Sequence, residues 1–337
     1  MKKSMKSDNE LYEMFCDWEL FPESHKLPIK FIRTSRSCPF QCSFCNYPRF
    51  GGKYEPSSVG VVIKEMETIH EVGTKYLIFT DDTLNVPLDR FKAILRQMIS
   101  RQFKFQWIAF FRCSHADEEL FDLMKQSGCL AVYLGFESGS NRVLQRMNKK
   151  VTVERYKEVM SALHKNGIIT FGSFVIGHPG ETDETVQETY RFIQETAPTF
   201  FNAQMFFLDP LSPIGMSVES FGISGSHYRW WHETMGWEEA SKWTNYILRS
   251  VTQSIQLPLW GFSIWSIPYL LVKGFSLNDI KMLTATTQEI IIRRLDNEYA
   301  SLYDELQNIQ DILQKHINNT HGLRIGYGLI LEQELSS

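Results

Sequence analysis

Three cysteines close together in the chain have the clearest chemistry. Cys38, Cys42 and Cys45 fall within eight residues. Thiolates at such short spacing select iron–sulfur clusters or zinc. A closed zinc site would want a fourth cysteine or histidine nearby, and residues 46–69 contain neither. Three thiolates on a four-iron cluster would leave one iron open to a small molecule. We therefore expect a 4Fe–4S cluster, with zinc or a purely structural site as the alternative.

The spacing Cys-x3-Cys-x2-Cys, with Phe44 before the last cysteine, resembles the signature of the radical S-adenosylmethionine superfamily. The resemblance implies that the open iron binds the amino and carboxylate groups of S-adenosylmethionine. It also implies that the reduced cluster cleaves the sulfonium, and that the resulting 5′-deoxyadenosyl radical takes a hydrogen atom from the substrate. Phe44 is then expected to pack near the adenine.

Residues 134–140, Leu-Gly-Phe-Glu-Ser-Gly-Ser, followed by Met147-Asn-Lys149, extend the resemblance. They are similar to the fourth-strand segment of a subgroup that includes cobalamin-linked radical enzymes and methylthiotransferases. The resemblance implies that Glu137, with Ser138 beside it, contacts S-adenosylmethionine. An ordinary acid at a helix N-terminus is the alternative for Glu137.

Residues 171–182 resemble the fifth-strand segment, which ends in Gly-x-Pro-Gly-Glu. The resemblance implies that backbone near Ile176 lines the adenine pocket. His178 stands where an apolar residue is commoner in the family. It is either a local variation or a substrate contact, and the sequence leaves both open.

Two more segments supply polar groups at predicted strand ends. Relatives hold the methionine amino group at the end of the second strand, where this chain has Asp81 and Asp82. The resemblance implies that one of them contacts the cofactor, while helix capping is the alternative for Asp82. Arg112 follows the third strand and would pair with the cofactor carboxylate or form a surface salt bridge.

An aromatic cluster at residues 228–237 and Cys113 bear on the substrate. Arg229, Trp231 and His232 lie in the cluster and are candidate substrate contacts. The cluster would either close the barrel mouth or form an apolar seam. Cys113 would return a hydrogen atom to a substrate radical, as in peptide epimerases, or be a buried structural thiol.

Short apolar runs alternate with helix-like stretches along most of the chain. The predicted strands are residues 29–34, 76–79, 105–111, 130–136, 168–176 and 201–208. The predicted helices are residues 59–72, 88–101, 116–127, 153–166 and 182–196. Strict alternation of this kind predicts a parallel sheet with right-handed crossovers. We therefore expect an α/β fold, a partial (βα)6 TIM-like barrel with a helical C-terminal extension.

The same pattern divides the chain into three parts. Residues 1–28 are a lead, residues 29–215 the core barrel, and residues 216–337 the extension. Two helical patterns are predicted in the extension, at 277–294 and 295–317. Only some 28 residues precede the first strand, so we expect no cobalamin-binding domain there, and the use of cobalamin stays open.

Composition excludes several classes of protein. Of 337 residues, 43% are hydrophobic and 22% charged, which is too apolar for a disordered chain. A net charge of −4 gives no reason to expect a nucleic-acid partner. Six bunched cysteines and a start without an apolar signal core indicate a cytoplasmic protein. The uncharged segment 250–272 is interrupted by prolines and polar residues, so we expect it to be buried or substrate-facing rather than in a membrane.

These observations favour a radical enzyme that modifies a small metabolite or a natural-product intermediate. Methyl transfer is the subgroup's commonest reaction, and a flavodoxin or ferredoxin would supply the electron. The first alternative is modification of a ribosomally made peptide, by epimerisation or crosslinking. The second is a metal-binding protein without catalytic activity.

Overall fold

A seven-stranded sheet forms the centre of the computed structural model, which describes residues 16, 18–21, 28–257, 265–296 and 303–317. Each strand pairs in parallel with the next one in the chain. The strands are β1 (Ile29–Ile32), β2 (Tyr76–Phe79), β3 (Gln106–Phe111), β4 (Cys129–Glu137), β5 (Ile169–Ile176), β6 (Phe200–Met205) and β7 (Ile255–Gln256). Within the described residues β1 does not pair with β7, so the barrel is open.

Helices connect successive strands and cover the sheet. They are α1 (Val59–Glu71), α2 (Leu88–Ser100), α3 (Glu118–Gln126), α4 (Val153–Lys165), α5 (Asp183–Thr196) and α6 (Trp237–Ser250). Side-chain N-caps start several of them: Ser58 accepts from Val61 N–H, and Asp117 accepts from Leu120 N–H. Every residue of β5 is buried, as expected for a parallel strand covered on both faces. The fold confirms the predicted partial (βα)6 TIM-like barrel, to which the unpredicted β7 adds a short edge strand.

Three packed aromatic rings, those of Phe136, Tyr156 and Phe174, fix the position at which β4 ends. The ring of Phe136 lies 5.5 Å from that of Phe174 on β5 and 4.7 Å from that of Tyr156 on α4. The Tyr156 hydroxyl donates a hydrogen bond of 3.0 Å to the carbonyl of Phe136. Glu137 therefore follows directly on a backbone position that is held from both layers of the fold.

Residues 215–236 contain a small sheet where the sequence predicted the start of a helical extension. A 3-10 turn at Gly215–Phe221 precedes three antiparallel strands, Ser224–Ser226, Arg229–His232 and Met235–Gly236, called here the aromatic hairpin. Its middle strand has the period of two typical of a strand, since Trp230 is buried and Trp231 is exposed. Short Gly- and Ser-rich strands lack the apolar run by which strands are recognised in a sequence.

The chain divides into two compact units, Met1–Ser266 and Ile267–Ser337. In the second unit the helices α7 (Leu277–Leu295) and α8 (Tyr303–Ile317) confirm that both predicted helical patterns form helices. A short helix, Ser266–Val272, lies at the boundary. Part of the uncharged segment, residues 258–264, lies outside the described residues, as does most of the lead. No helix in the described ranges is both long and apolar enough to cross a membrane.

Candidate active site

A cavity of about 280 Å³ lies at the carboxyl ends of the first four strands. It brings together all three cysteines and four other residues that the sequence predicted to bind cofactor, namely Phe44, Asp82, Arg112 and Glu137. Its wall comprises Cys38, Cys42, Phe44, Cys45, Tyr47, Asp82, Thr83, Phe110, Phe111, Arg112, Tyr133, Gly135, Glu137 and Lys149. Parallel α/β folds place their ligands at this edge because the loops after successive strands converge there.

The cysteine loop (residues 38–45) is held by backbone hydrogen bonds from two other parts of the chain. Ser43 N–H donates to the carbonyl of Met147 at 2.9 Å, and Ile214 N–H donates to the carbonyl of Ser43 at 2.9 Å. The Asn148 amide donates to the carbonyl of Gln41 at 2.6 Å. These hydrogen bonds therefore restrain the backbone of the loop at Gln41 and Ser43, between the first and the last cysteine.

The three thiols lie in a partly buried and partly cationic setting. Cys38 Sγ is 3.2 Å from Thr83 Oγ1, and the Arg112 guanidinium is 4.0 Å from Cys42 Sγ. Burial raises the pKa of Cys45 to about 11, and the nearby Cys42 and Cys38 add to this rise. Among the described residues no three His, Cys, Asp or Glu side chains are grouped as they would be around a single metal ion.

A buried ion pair faces the cysteines across the cavity. Lys149 Nζ is 2.7 Å from Glu137 Oε1, and both side chains are about one-tenth exposed. Glu137 has a φ of +65°, and the pairing of β4 with β5 shifts register between Gly135 and Glu137. This irregularity turns the carboxylate into the cavity. A Cβ atom at Gly135 would overlap that carboxylate, so a side chain at this position would force the ion pair to shift.

Arg112 is positioned by an asparagine from the preceding loop. The Asn85 amide donates to the Arg112 carbonyl at 2.8 Å, and Arg112 N–H donates to Asn85 Oδ1 at 2.9 Å. The guanidinium stacks on Phe40 at 3.5 Å from the ring centre, and also donates to the carbonyl of Lys149. Arg112 therefore forms part of the cavity wall, and it makes no salt bridge to a carboxylate among the described residues.

The two adjacent aspartates have different surroundings. Asp82 lies on the cavity wall, where burial raises its pKa. Burial and a hydrogen bond to Asp82 raise the pKa of Tyr47 to about 12. Asp81 is buried away from the wall and accepts hydrogen bonds from Thr34 N–H and Oγ1 and from Ser35 Oγ. Asp81 thus ties the end of β2 to the chain after β1.

Three other residues that the sequence singled out lie outside the cavity wall. The Ser138 hydroxyl is buried and contacts Thr189 Oγ1 at 3.2 Å. Ile176 is buried, and its carbonyl accepts from Phe206 N–H at 2.7 Å. Cys113 is buried as well, and burial raises its pKa to about 12. Their proposed roles toward cofactor or substrate stay predictions.

The four candidate substrate residues do not converge on the cavity. His178 is fully buried behind the cysteine loop, and His232 stacks on Trp230 with ring centres 5.3 Å apart. Arg229 lies over the Trp237 ring at 3.8 Å. Trp231 is half exposed and lines a separate surface cavity on α5 and α6. A substrate role for any of them stays a prediction.

The structure adds cavity residues that the sequence did not single out. One of them is Lys149, which belongs to the segment Met147-Asn-Lys149. The position of a lysine in the sequence does not reveal which carboxylate it pairs with. The others are Tyr47, Thr83, Phe110, Phe111, Tyr133 and Gly135. Phe110 on β3 and Tyr133 on β4 are aromatic residues of predicted strands, and their ring centres lie 4.8 Å apart.

The fold and the cavity define a class of protein, an open α/β barrel with three cysteines in a cavity at the carboxyl ends of its strands. Residues 32–193, just under half of the chain, match the family model described as the Radical SAM superfamily, and this part of the chain is a member of that superfamily. Membership implies a 4Fe–4S cluster and S-adenosylmethionine. The site fits this group, because three thiols share the wall of one cavity with the cations of Arg112 and Lys149.

The curated relatives match the chain over the barrel. An uncharacterized methyltransferase from Pyrococcus horikoshii is 34% identical over 171 residues, 50% of this chain and 37% of that protein. An anaerobic magnesium-protoporphyrin IX monomethyl ester cyclase from Rubrivivax gelatinosus is 31% identical over 217 residues, 61% of this chain and 38% of that protein. The chain thus spans less than two fifths of the length of each.

A solved structure has the same fold. The radical S-adenosylmethionine methyltransferase TsrM from Kitasatospora setae, with cobalamin and a [4Fe-4S] cluster bound, superposes with a TM-score of 0.61. The match covers 86% of this chain and 61% of that protein, at 16% sequence identity. At this identity the likeness concerns the fold alone.

Proposed function

We propose that this chain uses a 4Fe–4S cluster, bound by Cys38, Cys42 and Cys45, to cleave S-adenosylmethionine reductively and modify a small metabolite or natural-product intermediate. The observation that carries the proposal is the shared cavity. The three cysteines, the Glu137–Lys149 ion pair and Arg112 all lie on its wall.

When bound, the cluster would supply the electron that splits the sulfonium and yields the 5′-deoxyadenosyl radical. The residues of the chain do the remaining work. Glu137, Lys149 and Arg112 offer one anion and two cations, which suit the charged amino and carboxylate groups of a methionine moiety. Phe44 is placed to pack on the adenine, as the family resemblance implies.

Five aromatic side chains also line the wall, namely Phe44, Tyr47, Phe110, Phe111 and Tyr133. The rings of Phe110 and Tyr133 are in edge contact, and Tyr133 stacks on Phe171 with ring centres 4.6 Å apart. Such a surface excludes water, which would otherwise compete for a reactive radical. It also favours a substrate with apolar or planar parts.

Methyl transfer is the reaction that we propose to test first, because one relative and one structural neighbour are named methyltransferases. Cobalamin as a second cofactor belongs to the same proposal, as does a flavodoxin or ferredoxin as electron donor. Cys113 lies outside the cavity wall, so the geometry gives peptide epimerisation no specific support.

The test is anaerobic reconstitution with iron and sulfide, followed by dithionite and S-adenosylmethionine, with and without cobalamin. We expect iron–sulfur absorbance and the release of 5′-deoxyadenosine. S-Adenosylhomocysteine would mark use of the methyl group. Cys42→Ala should abolish both products, whereas Cys129→Ala, outside the cavity, should preserve them. If Cys42→Ala formed 5′-deoxyadenosine as fast as the wild-type protein does, the proposal would be refuted.

A further inference from the structure

We infer that His178 is a positioning residue that holds the cysteine loop through Ser43 and thereby sets the environment of the cluster. The inference deepens the proposed function and rests on it for the cluster. Ser43 stands between Cys42 and Phe44, and His178 follows β5 at the adjacent strand end. The contact joins residues 135 positions apart in the chain.

The geometry of the imidazole defines its hydrogen bonds. His178 is fully buried, with Nε2 3.1 Å from Ser43 Oγ and Nδ1 3.1 Å from the carbonyl of Pro179. A carbonyl only accepts, so Nδ1 carries the proton and donates to Pro179. Burial lowers the pKa of His178 to about 3, which keeps the ring neutral. Nε2 therefore accepts, and the Ser43 hydroxyl donates to it.

Ser43 is held at every polar atom. Its N–H and carbonyl are bound by Met147 and Ile214, as described above. The other acceptor near its hydroxyl, the carbonyl of Arg146, lies farther away at 3.4 Å. His178 thus supplies the side-chain restraint on the one residue that links Cys42 to Phe44 and Cys45.

The turn that presents His178 is itself rigid. Gly177 N–H donates to the buried carboxyl group of Glu181, and Glu181 N–H donates to the carbonyl of His178 at 2.8 Å. On the other side His232 Nε2 is 3.1 Å from the carbonyl of Gly177. A turn fixed in this way can impose a position on the cysteine loop instead of following it.

A displaced loop would change the cluster's surroundings. The reduction potential of an iron–sulfur cluster depends on solvent exposure and on hydrogen bonds to its sulfurs. Solvent exposure and hydrogen bonding of the cluster both depend here on where residues 42–45 lie. Ser43 itself is not one of the three proposed cluster ligands. Loss of the His178–Ser43 hydrogen bond should therefore alter the potential while leaving the three thiol ligands in the chain.

The test uses four variants of the full chain. Three should loosen the loop, namely Ser43→Ala, His178→Leu and the double variant that combines them, and the fourth is His178→Gln. The amide oxygen of the introduced glutamine can accept from Ser43, so His178→Gln should rescue. Ser140→Ala is the matched control, because its buried hydroxyl has no partner among the described residues. The first readout is amide hydrogen exchange of residues 42–45 in iron-free protein. The second readout is the reduction equilibrium of the reconstituted cluster, which is measured by electron paramagnetic resonance.

We expect exchange about fivefold faster in Ser43→Ala and in His178→Leu, with no further increase in the double variant. The cluster's reduction equilibrium should shift by about threefold in both, and wild-type values should return in His178→Gln. Exchange unchanged from wild type, or fully additive effects in the double variant, would overturn the inference. If the wild-type chain takes up no cluster, the proposed function fails, while amide exchange still decides whether His178 positions the loop.

Discussion

We expect the Glu137–Lys149 ion pair to contribute to stability and, under the proposed function, to the binding of S-adenosylmethionine, and the two contributions can be measured separately. Lys149→Met leaves the Glu137 carboxylate without its cation in a setting about one-tenth exposed. Removing one partner of such a pair should cost about 3 kcal/mol in the free energy of unfolding. Adding Glu137→Gln should restore part of that stability but not affinity for S-adenosylmethionine. Urea unfolding and calorimetric titration of the reconstituted protein measure the two quantities.

Lys157→Met is the matched control, since Lys157 and Glu195 form an ion pair with both side chains about half exposed. Its loss should change stability by no more than about 0.5 kcal/mol. Equal losses in Lys149→Met and Lys157→Met would show that the cavity pair is not buried in solution.

Glu181 should make stability fall with rising pH. Burial raises its pKa to about 8 from an ordinary value of 4.5, so the unfolded chain releases this proton before the folded one does. The stabilisation by the neutral acid is complete below pH 4.5 and is lost as the pH rises to about 8. Glu181→Gln should therefore gain stability relative to wild type by about 1 kcal/mol for each pH unit in this range.

Urea unfolding at about pH 5 and about pH 8 measures that gain. The exposed Glu188→Gln on α5, the helix that follows Glu181, should show a difference from wild type that does not vary with pH. A Glu181→Gln difference that is the same at both pH values would mean that Glu181 is ionised in the folded protein.

For individual residues, the sequence predicted much of the cavity wall but not which side chains interact with each other there. Cysteine spacing and the segment around Glu137 identified residues that the fold does bring together. The partners Lys149 and Tyr47 were not found, because a buried ion pair or a hydroxyl near Asp82 depends on loop positions that no local pattern encodes. His178 was singled out as unusual for its position, and its contact with Ser43 became visible only in the fold.

Among the secondary structure elements, the aromatic hairpin packs closely on the end of β5. Gly177 has a φ of +94°, and a Cβ atom there would overlap the Trp230 ring and contact Ala240. Gly177→Ala therefore combines a left-handed backbone conformation with a clash in a packed region. We expect it to lower the free energy of unfolding by about 3 kcal/mol, measured by thermal or urea unfolding.

Gly167→Ala separates the two causes. Gly167 has a φ of +69°, but nothing lies within 4 Å of the position of its Cβ atom. Gly167→Ala should therefore lower the free energy of unfolding only through the left-handed backbone conformation, by about 1 kcal/mol. If Gly167→Ala were as destabilising as Gly177→Ala, packing of Trp230 against this turn would not be the cause.

The six longer strands could be predicted because each is an apolar run between amphipathic helices. The strand β7 (Ile255–Gln256) has two residues and no recognisable period, and its place is given by pairing with β6. The aromatic hairpin escaped prediction for a related reason, since aromatic residues next to Gly and Ser suit both turns and strands.

For the whole molecule, the family match and the cysteine site have different extents. The match ends at residue 193, but Ser43 is bound by Ile214, and β6 and β7 follow the match as well. A chain ending at Thr196 should therefore bind little iron after reconstitution. A chain ending at Ser266 keeps the whole first compact unit and should load as the full chain does. Iron and sulfide content decides, and equal loading of both fragments would contradict this expectation.

The hydrogen bond from Ile214 to Ser43 also orders events during biosynthesis. A ribosome makes the chain from its N-terminus, so the three thiols emerge about 170 residues before the group that completes their loop. Iron delivered to the nascent protein would meet cysteines whose backbone is not yet held. Under the proposed function, we therefore expect cluster insertion to follow translation of Ile214 and to act on a barrel whose strands β1–β6 have already been made.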